Sequence, residues 1–571
     1  MAMNPVVRAQ LNSFKEANPD PERSDSDFFE VMSIFSVENG ILGENNDPFR
    51  IHLKGEEFGI DGIAISIQGI ICTDSDEALS ILSSGKNHSG SFRIYQSKTS
   101  DSIDYGQISK FLDAVHDFFT DLNLLKGDQI EDLAGARDKV FSASARSNPE
   151  LKCFFCTTGS GQVSDPIMDL INSNKKRLEE LNIFSSVEIF CFGAKEIQEG
   201  YRAATQSSIA TINFPKSITL PDHEEIDQSF IGYISADQIV KLSTTEDSKG
   251  NFLINRSLFY DNVRDFNPDS EINKNILSEI SSGDHSSFVF KNNGITIVAK
   301  TISRRGDTFT IEDYQIVNGC QTTNILSQAK ENLNNIFVPL RIIGSSNSDF
   351  ISKVIIGTNK QNEVREDQFW ALLPFMKDLE VYCAGQDGDR KILIERRDNQ
   401  YRDISNERTR IMKSSDLMKI CAAAFFFQPH RAARDHRGIR NEFSKKIFLP
   451  THSVELYHVA ALALYKFDYL IRTSRVNRSF AINKFYVLYS LVRKFWKTPD
   501  LLNAPQRSKE KVHREIMKII MDNDVYSKFI EDVSLTINKI VDKSAIKTRE
   551  QLRDYIRTEY FAENFTKLFF N

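Results

Sequence analysis

Residues 92–101 read "FRIYQSKTSD". A short run of aromatic and β-preferring residues stops at Gln96-Ser97-Lys98 and then turns polar. In a strand, residues two apart point to the same face. Gln96 and Lys98 therefore sit side by side at the strand's end, with Ser97 turned away. An amide and an ammonium presented together suit either a solvated edge or an acidic partner. The sequence holds such a partner upstream, Asp61 in "EFGIDGIAI". If the strand led by Asp61 neighbours the strand ended by Lys98, the three groups converge. An Asp carboxylate is a hard oxygen ligand for Mg²⁺ or Mn²⁺. Gln96 offers a carbonyl oxygen without charge. Lys98 can orient and deprotonate a water, or offset charge developing on a phosphate. Such a cation needs more than one carboxylate, and Glu30 in the helical "DFFEVMS" is the expected second acid, with Glu38 as the fallback. The expected catalytic set is thus Glu30, Asp61, Gln96 and Lys98, with Glu30, Asp61 and Gln96 as metal ligands.

The neighbouring segments fit an α/β domain with a mixed sheet. "DFFEVMSIFSVENGIL" has helical spacing, "GIDGIAISIQGIICT" reads as one strand, and "ALSILSSG" reads as a short helix. "YGQISKFLDAVHDFFTDL" places Ile108, Phe111, Leu112, Val115, Phe118 and Phe119 at helical spacing. "LKCFFCTTG" and "SVEIFCFG" read as further strands separated by a helix near 166–182. "INFPKSITLPDHEE", with two prolines and little periodicity, reads as a linker. This arrangement resembles the PD-(D/E)XK nucleases, and most closely their Mrr-like restriction branch. There a Gln replaces the acid before the Lys, and a "GxDG" step, here Gly59 to Gly62, precedes a strand. The resemblance spans roughly 20–210 and implies metal-dependent phosphodiester hydrolysis.

Length and composition set the frame. A chain of 571 residues exceeds one domain, and the length prior suggests roughly three to four. The net charge of −7 gives no global attraction to nucleic acid, so any such surface is a local patch. No apolar run approaches a membrane span, and the N-terminus lacks a signal-peptide pattern. Seven scattered cysteines suit a reduced, cytoplasmic protein. The lone "CFFC" of Cys153 and Cys156 has no second pair to complete a zinc site. With 42 Phe against 2 Trp, the core is expected to be Phe-rich.

The middle of the chain is rich in amides. "YQIVNGCQTTNIL" reads as a buried strand, a turn at Asn318-Gly319, and a helix opened by Gln321-Thr322-Thr323. Helix starts attract anions through free N–H groups and the macrodipole. "FKNNGITIVA" is a second such turn at Asn292-Asn293, and "GTNKQNEV" a third, with Asn359, Gln361 and Asn362. These three turns are expected to face a common pocket for a polar ligand, or simply to serve as turns. "LFYDNVRDF", "INKNI", "FKNNGITIVA", "QIVNGCQTTNIL", "TNKQNEV" and "IERRDNQY" follow the order and spacing of the AIPR family, the abortive infection phage resistance proteins. The chain resembles that family over about 229–480, which implies a bacterial anti-phage role. The "NGCQT" step is also distantly similar to the "DGQHR" step of ParB-like proteins, but lacks its acid and its His-Arg pair.

From Arg396 to Lys446 there are 13 Lys or Arg against 6 Asp or Glu. "RAARDHRGIR" places Arg431, Arg434, Arg437 and Arg440 at steps of three, along one helical side. Arginines suit phosphate contacts, so these four are the expected nucleic-acid residues, unless they pair with acidic surface elsewhere in the chain.

The expected architecture is α/β: a restriction-endonuclease-like N-terminal domain (1–215), an α+β AIPR core (229–411) and a mostly helical C-terminal region (412–571). The expected function is an anti-phage effector that cuts DNA or RNA with Mg²⁺, gated by the AIPR region. The alternative is a non-catalytic protein that binds nucleic acid or senses a nucleotide or phage component. Self-association is compatible with either.

Overall fold

The protein is described by a computed structural model. It covers residues 3–570 except 56–57, 83–88, 144–147, 207, 247–251, 256–257, 260–279, 281–286, 329–332, 359–369, 371–372, 397–399, 402–407, 543 and 545.

The first layered unit is a five-stranded mixed sheet in the order β2-β1-β3-β4-β5. Its strands are β1 (Gly62–Ile67), β2 (Ile70–Cys72), β3 (Gly90–Lys98), β4 (Glu150–Thr157) and β5 (Ser186–Phe192). β1 runs antiparallel to β2 and β3, whereas β3, β4 and β5 are parallel. The segment expected as one strand, "GIDGIAISIQGIICT", is instead a hairpin. Gln68 and Gly69 both have positive φ, 52° and 71°, the conformation a two-residue type I′ turn demands. β3 is central rather than an edge, so the cluster opened by Asp61 sits at strand ends.

Alternation along β3 separates two cores. Phe92 and Ile94 face helices α5 (Tyr105–Phe118) and α6 (Asp128–Ala143), packing with Phe111, Leu112 and Leu133. Tyr95 faces the other side, with Phe28 and Phe35 of α2 (Asp25–Phe35) and Tyr201 of α8 (Ala194–Thr205). There Tyr95, Phe154 and Phe190 stack across three strands at centroid separations of 5.2 and 5.1 Å. Cys153 and Cys156 lie buried in β4, and burial pushes both thiols up. Like the chain's other cysteines they are free.

The second unit is a six-stranded sheet in the order β6-β12-β11-β13-β8-β7. It comprises β6 (Ile209–Asn213), β7 (Lys216–Thr219), β8 (Gln228–Ser235), β11 (Ile295–Arg305), β12 (Thr308–Asn318) and β13 (Phe337–Gly344). A separate ribbon pairs β9 (Thr244–Glu246) with β10 (Phe252–Ile254). The expected linker at 212–225 is corrected here, because it contains the end of β6 and all of β7. These are the two edge strands, the positions where flanking prolines leave no ladder bond unmade. Phe214, between them, is fully buried.

Beyond β14 (Leu393–Glu395) and β15 (Ile411–Lys413), which pair in parallel, the chain is helical from Ser414 to Phe570. Its core centres on the helices Ser414–Ala424, Val454–Arg472 and Lys484–Arg493. Among the described residues, no helix is long and apolar enough to cross a membrane. The helical region docks on the first unit through Asp76 at the start of α4 (Ser75–Leu82). Arg434, Arg553 and Arg557 reach its carboxylate at 3.0, 3.4 and 2.8 Å.

Candidate active site

Asp61 lies just before β1, and its backbone extends that strand's ladder. Its N–H donates to Tyr95 O at 2.8 Å, and its carbonyl accepts from Leu53 N–H at 2.9 Å. The side chain is thereby delivered to the end of β3. Its Oδ2 accepts from Gln96 Nε2 and from Ser97 N–H, both at 2.6 Å, and lies 3.9 Å from Lys98 Nζ. Oδ1 accepts no hydrogen bond among the described residues. Gln96 is buried and directs its amide nitrogen at Asp61, which leaves only its oxygen for a cation. Asp61, Gln96 and Lys98 are thus brought together, and they line a cavity of about 240 Å³ with Gly59, Gln107 and Lys110. Gly59 has φ +76°, and a Cβ there would meet Lys110 O at 2.9 Å. Only glycine lets the Asp61 loop approach α5 so closely.

Glu30, on α2, does not line that cavity but is near enough for its charge to act on Asp61 and to feel Lys98. His52 Nε2 lies 2.9 Å from Glu30 Oε2, and Arg23 Nη1 lies 3.3 Å from His52 Nδ1. A guanidinium can only donate, so Nδ1 accepts and Nε2 carries the proton given to Glu30. Arg23 in turn meets Asp20 at 3.3 Å. Burial, then the nearby Arg23, lower His52 to about 3. It therefore stays neutral and acts as a fixed donor that orients Glu30. Arg23 and His52 come from irregular segments, and the sequence reading missed them. Gln107 and Lys110 were missed for another reason: they sit on the polar side of a helix read only for its apolar stripe. Glu38, the fallback acid, is excluded. It lies on the same side of the sheet as α2, but its carboxylate is taken up by Arg93 at 2.5 Å and by the Tyr95 hydroxyl.

The two carboxylates share a deficit of positive charge. Desolvation by burial, then the charge of Glu30, push Asp61 up to about 7, against the pull of Lys98. Desolvation, then Asp27, push Glu30 up to about 7. Lys98 is the nearest cation to Asp61 and is a third exposed. An oxygen-only pair with excess negative charge fits a hard dication, which Mg²⁺ or Mn²⁺ sites hold with one or two carboxylates plus water and phosphate. Among the described residues, no group of three His, Cys, Asp or Glu is gathered for a metal, so the remaining ligands would come from water and substrate.

The amide-rich turns of the middle region partly meet. Gly319 packs on the neighbouring turn, its Cβ position 2.9 Å from Gly294 O. Asn292 Nδ2 donates to Thr322 Oγ1 at 2.9 Å, and Asn292 Oδ1 accepts from Gly294 N–H at 2.8 Å. Asn318 Nδ2 reaches Thr358 O at 3.5 Å. Asn293 and Gln321 are exposed. Asn292, Asn318 and Thr322 thus bond within the protein. Asn359, Gln361 and Asn362 lie outside the described residues.

The expected arginine stripe divides. Arg431 is bound to Asp435 and Glu442, at 2.8 and 2.7 Å. Arg434 is bound to Asp76 at 3.0 Å and to Asp554. These two hold the molecule's own carboxylates, so the expected nucleic-acid role does not describe their contacts. Arg437 and Arg440 line a large cavity between the first unit and the helical region.

The N-terminal unit has a mixed sheet with a carboxylate–lysine cluster at its strand ends, and it is joined to a second sheet and a helical region. The class this defines is a multidomain α/β protein with a buried carboxylate–lysine cluster. A family model described as AIPR protein matches residues 259–560, more than half of the chain, and the chain belongs to that family. Membership suggests a role in phage resistance by abortive infection. The match runs through both the second sheet and the helical region and leaves the Asp61 unit outside it. No curated protein and no solved structure matches the chain.

Proposed function

We propose that this AIPR protein is an anti-phage effector whose N-terminal unit hydrolyses phosphodiester bonds of DNA or RNA. One arrangement supports the reading: Asp61 held by Gln96 and Ser97 beside Lys98. Mg²⁺ or Mn²⁺ bound by Glu30 and Asp61 would supply Lewis-acid stabilisation of the phosphate and an activated water. The protein's part is positional. His52 fixes the Glu30 carboxylate, and Gln96 and the Ser97 N–H fix Asp61. Lys98 offers a donor to the non-bridging phosphate oxygens as negative charge gathers in the transition state. In this reading the helical AIPR segment, clasped to the same unit at Asp76, would gate the site.

The test is incubation of purified protein with plasmid, linear DNA and RNA, each with Mg²⁺, Mn²⁺ or EDTA. Cleavage of at least one substrate that needs the cation and stops in EDTA is expected. Intact substrates in every cation-containing arm would contradict the proposal.

A further inference from the structure

Between the N-terminal unit and the helical region lies a cavity of about 1470 Å³. Among the described residues its walls carry fourteen Lys or Arg against nine Asp or Glu, in a sequence whose net charge is −7. The signs are unevenly distributed. At one end they are matched: Asp76 meets Arg553 and Arg557, and Asp132 meets Arg549 and Arg553. At the other end, around His52, cations are numerous, although Asp20 pairs with Arg23, Asp27 acts on His52 and Asp468 faces Arg472. Arg23, Arg478 and Lys54 all act on His52, and Arg472 acts on Arg23.

Two of these cations, Lys54 and Arg472, make no ion pair among the described residues. Lys54 Nζ meets the Arg472 carbonyl at 3.3 Å. Arg472 Nε is buried without a hydrogen-bond partner, and so is Arg557 Nη1. The Arg557 side chain is only 6% exposed, and its other two nitrogens hold Asp76. Buried donors and crowded like charges are costly unless an anion answers them.

We infer that this cavity binds a nucleotide, with its phosphates at the cationic end near Arg472 and Lys54 and its ring against Phe49 and Tyr469. Guanidinium forks match phosphate oxygens in pairs. Arg472 already lies over the Phe49 ring at 4.7 Å and the Tyr469 ring at 5.7 Å, so a phosphate donor and aromatic rings are adjacent. The volume exceeds what a bare phosphate needs, since ligand pockets run to about 300–1,000 Å³. The nine carboxylates on the walls disfavour a long strand, which would meet anions along its track. A compact cluster of phosphates at one end avoids them. The site shares Arg23 and His52 with the wall behind Glu30 but requires no chemistry at Asp61.

The experiment is isothermal titration of the full chain with ATP, cyclic di-AMP, sodium triphosphate and a short single-stranded DNA. The first two separate a linear from a cyclic nucleotide, and triphosphate removes the ring. At least one nucleotide should bind once per chain, and more tightly than triphosphate. Arg472→Ala and Lys54→Ala should each weaken that binding by about ten-fold or more, with the thermal midpoint confirming a folded protein. Lys54 is half-buried and makes no ion pair among the described residues, so its variant keeps the test usable if Arg472→Ala misfolds. Binding of neither nucleotide, binding of the DNA alone, or wild-type binding by both variants would overturn the inference.

Discussion

Asp61 and Asp76 belong to the same unit, and both side chains are largely buried, at 13% and 2% exposure. Their surroundings differ in counter-charge. Asp76 faces Arg434, Arg553 and Arg557, and although burial opposes ionisation, these arginines, Arg557 foremost, hold its carboxyl down to about 2. Asp61 faces one lysine, a third exposed, and a second carboxylate, and it is driven up. A buried acid with matched cations is a joint. A buried acid short of cations, in a cavity, is a candidate site. The difference separates the docking of the helical region from the chemistry of the N-terminal unit, although burial alone would rank the two acids alike.

The largest expected effect breaks the joint. Asp76→Ala leaves three arginines facing an empty position, and removing one partner of a buried ion cluster costs about 3–5 kcal/mol. Urea unfolding should show that loss, together with easier proteolysis between the N-terminal unit and the helical region. A change within error would mean that Asp76 is not the joint. On the other side of the comparison, Lys98→Ala should lower cleavage by about 10²–10³. Its effect on stability should stay near 0.5 kcal/mol, because the side chain is a third exposed. Cleavage at the wild-type rate would remove Lys98 from the site. His52→Ala should reduce Mn²⁺ affinity about 10–100-fold, the usual consequence of losing an outer partner that orients a ligand. Unchanged affinity would make the Arg23–His52–Glu30 chain purely structural. The smallest effect belongs to Arg434→Ala. This residue is about one-third exposed and committed to carboxylates, so it should cost no more than about 1 kcal/mol. It should leave the salt dependence of nucleic-acid binding unchanged, and a shallower salt slope would return Arg434 to the phosphate contacts.

The period-two logic of a strand made Gln96 and Lys98 legible, and the turn before the next strand supplied Asp61. His52 and Arg23 were not legible. They lie in "PERS" and "RIHLKG", where no periodicity says which way a side chain points. The hairpin at Gln68-Gly69 was hidden because apolar residues run through both strands and the turn lacks an Asn or Asp. The prolines near 215 and 221 argue against a central strand but not against an edge, so a linker and an edge strand look alike in sequence. The arginine stripe misled for a physical reason. Its acidic partner, Asp76, stands more than 350 positions away, and local spacing carries no trace of an interdomain ion pair.

Cation binding tests the imbalance at Asp61 most directly. With folded values raised toward 7 against about 4 in the unfolded chain, the folded state holds extra protons between those limits. Without metal, the stability these two groups contribute falls as pH rises through that window. A bound dication must displace the protons, so its affinity climbs over the same range. The decisive measurement is calorimetric titration of Mn²⁺ into the wild-type protein and Asp61→Asn, each at pH 5.5 and pH 8 (values about 1.5 units below and 1 unit above the raised carboxylates). The wild type should bind more tightly at the higher pH and release protons on binding, while Asp61→Asn should bind weakly at both. Equal binding by the two proteins, or none by the wild type at either pH, would contradict the account.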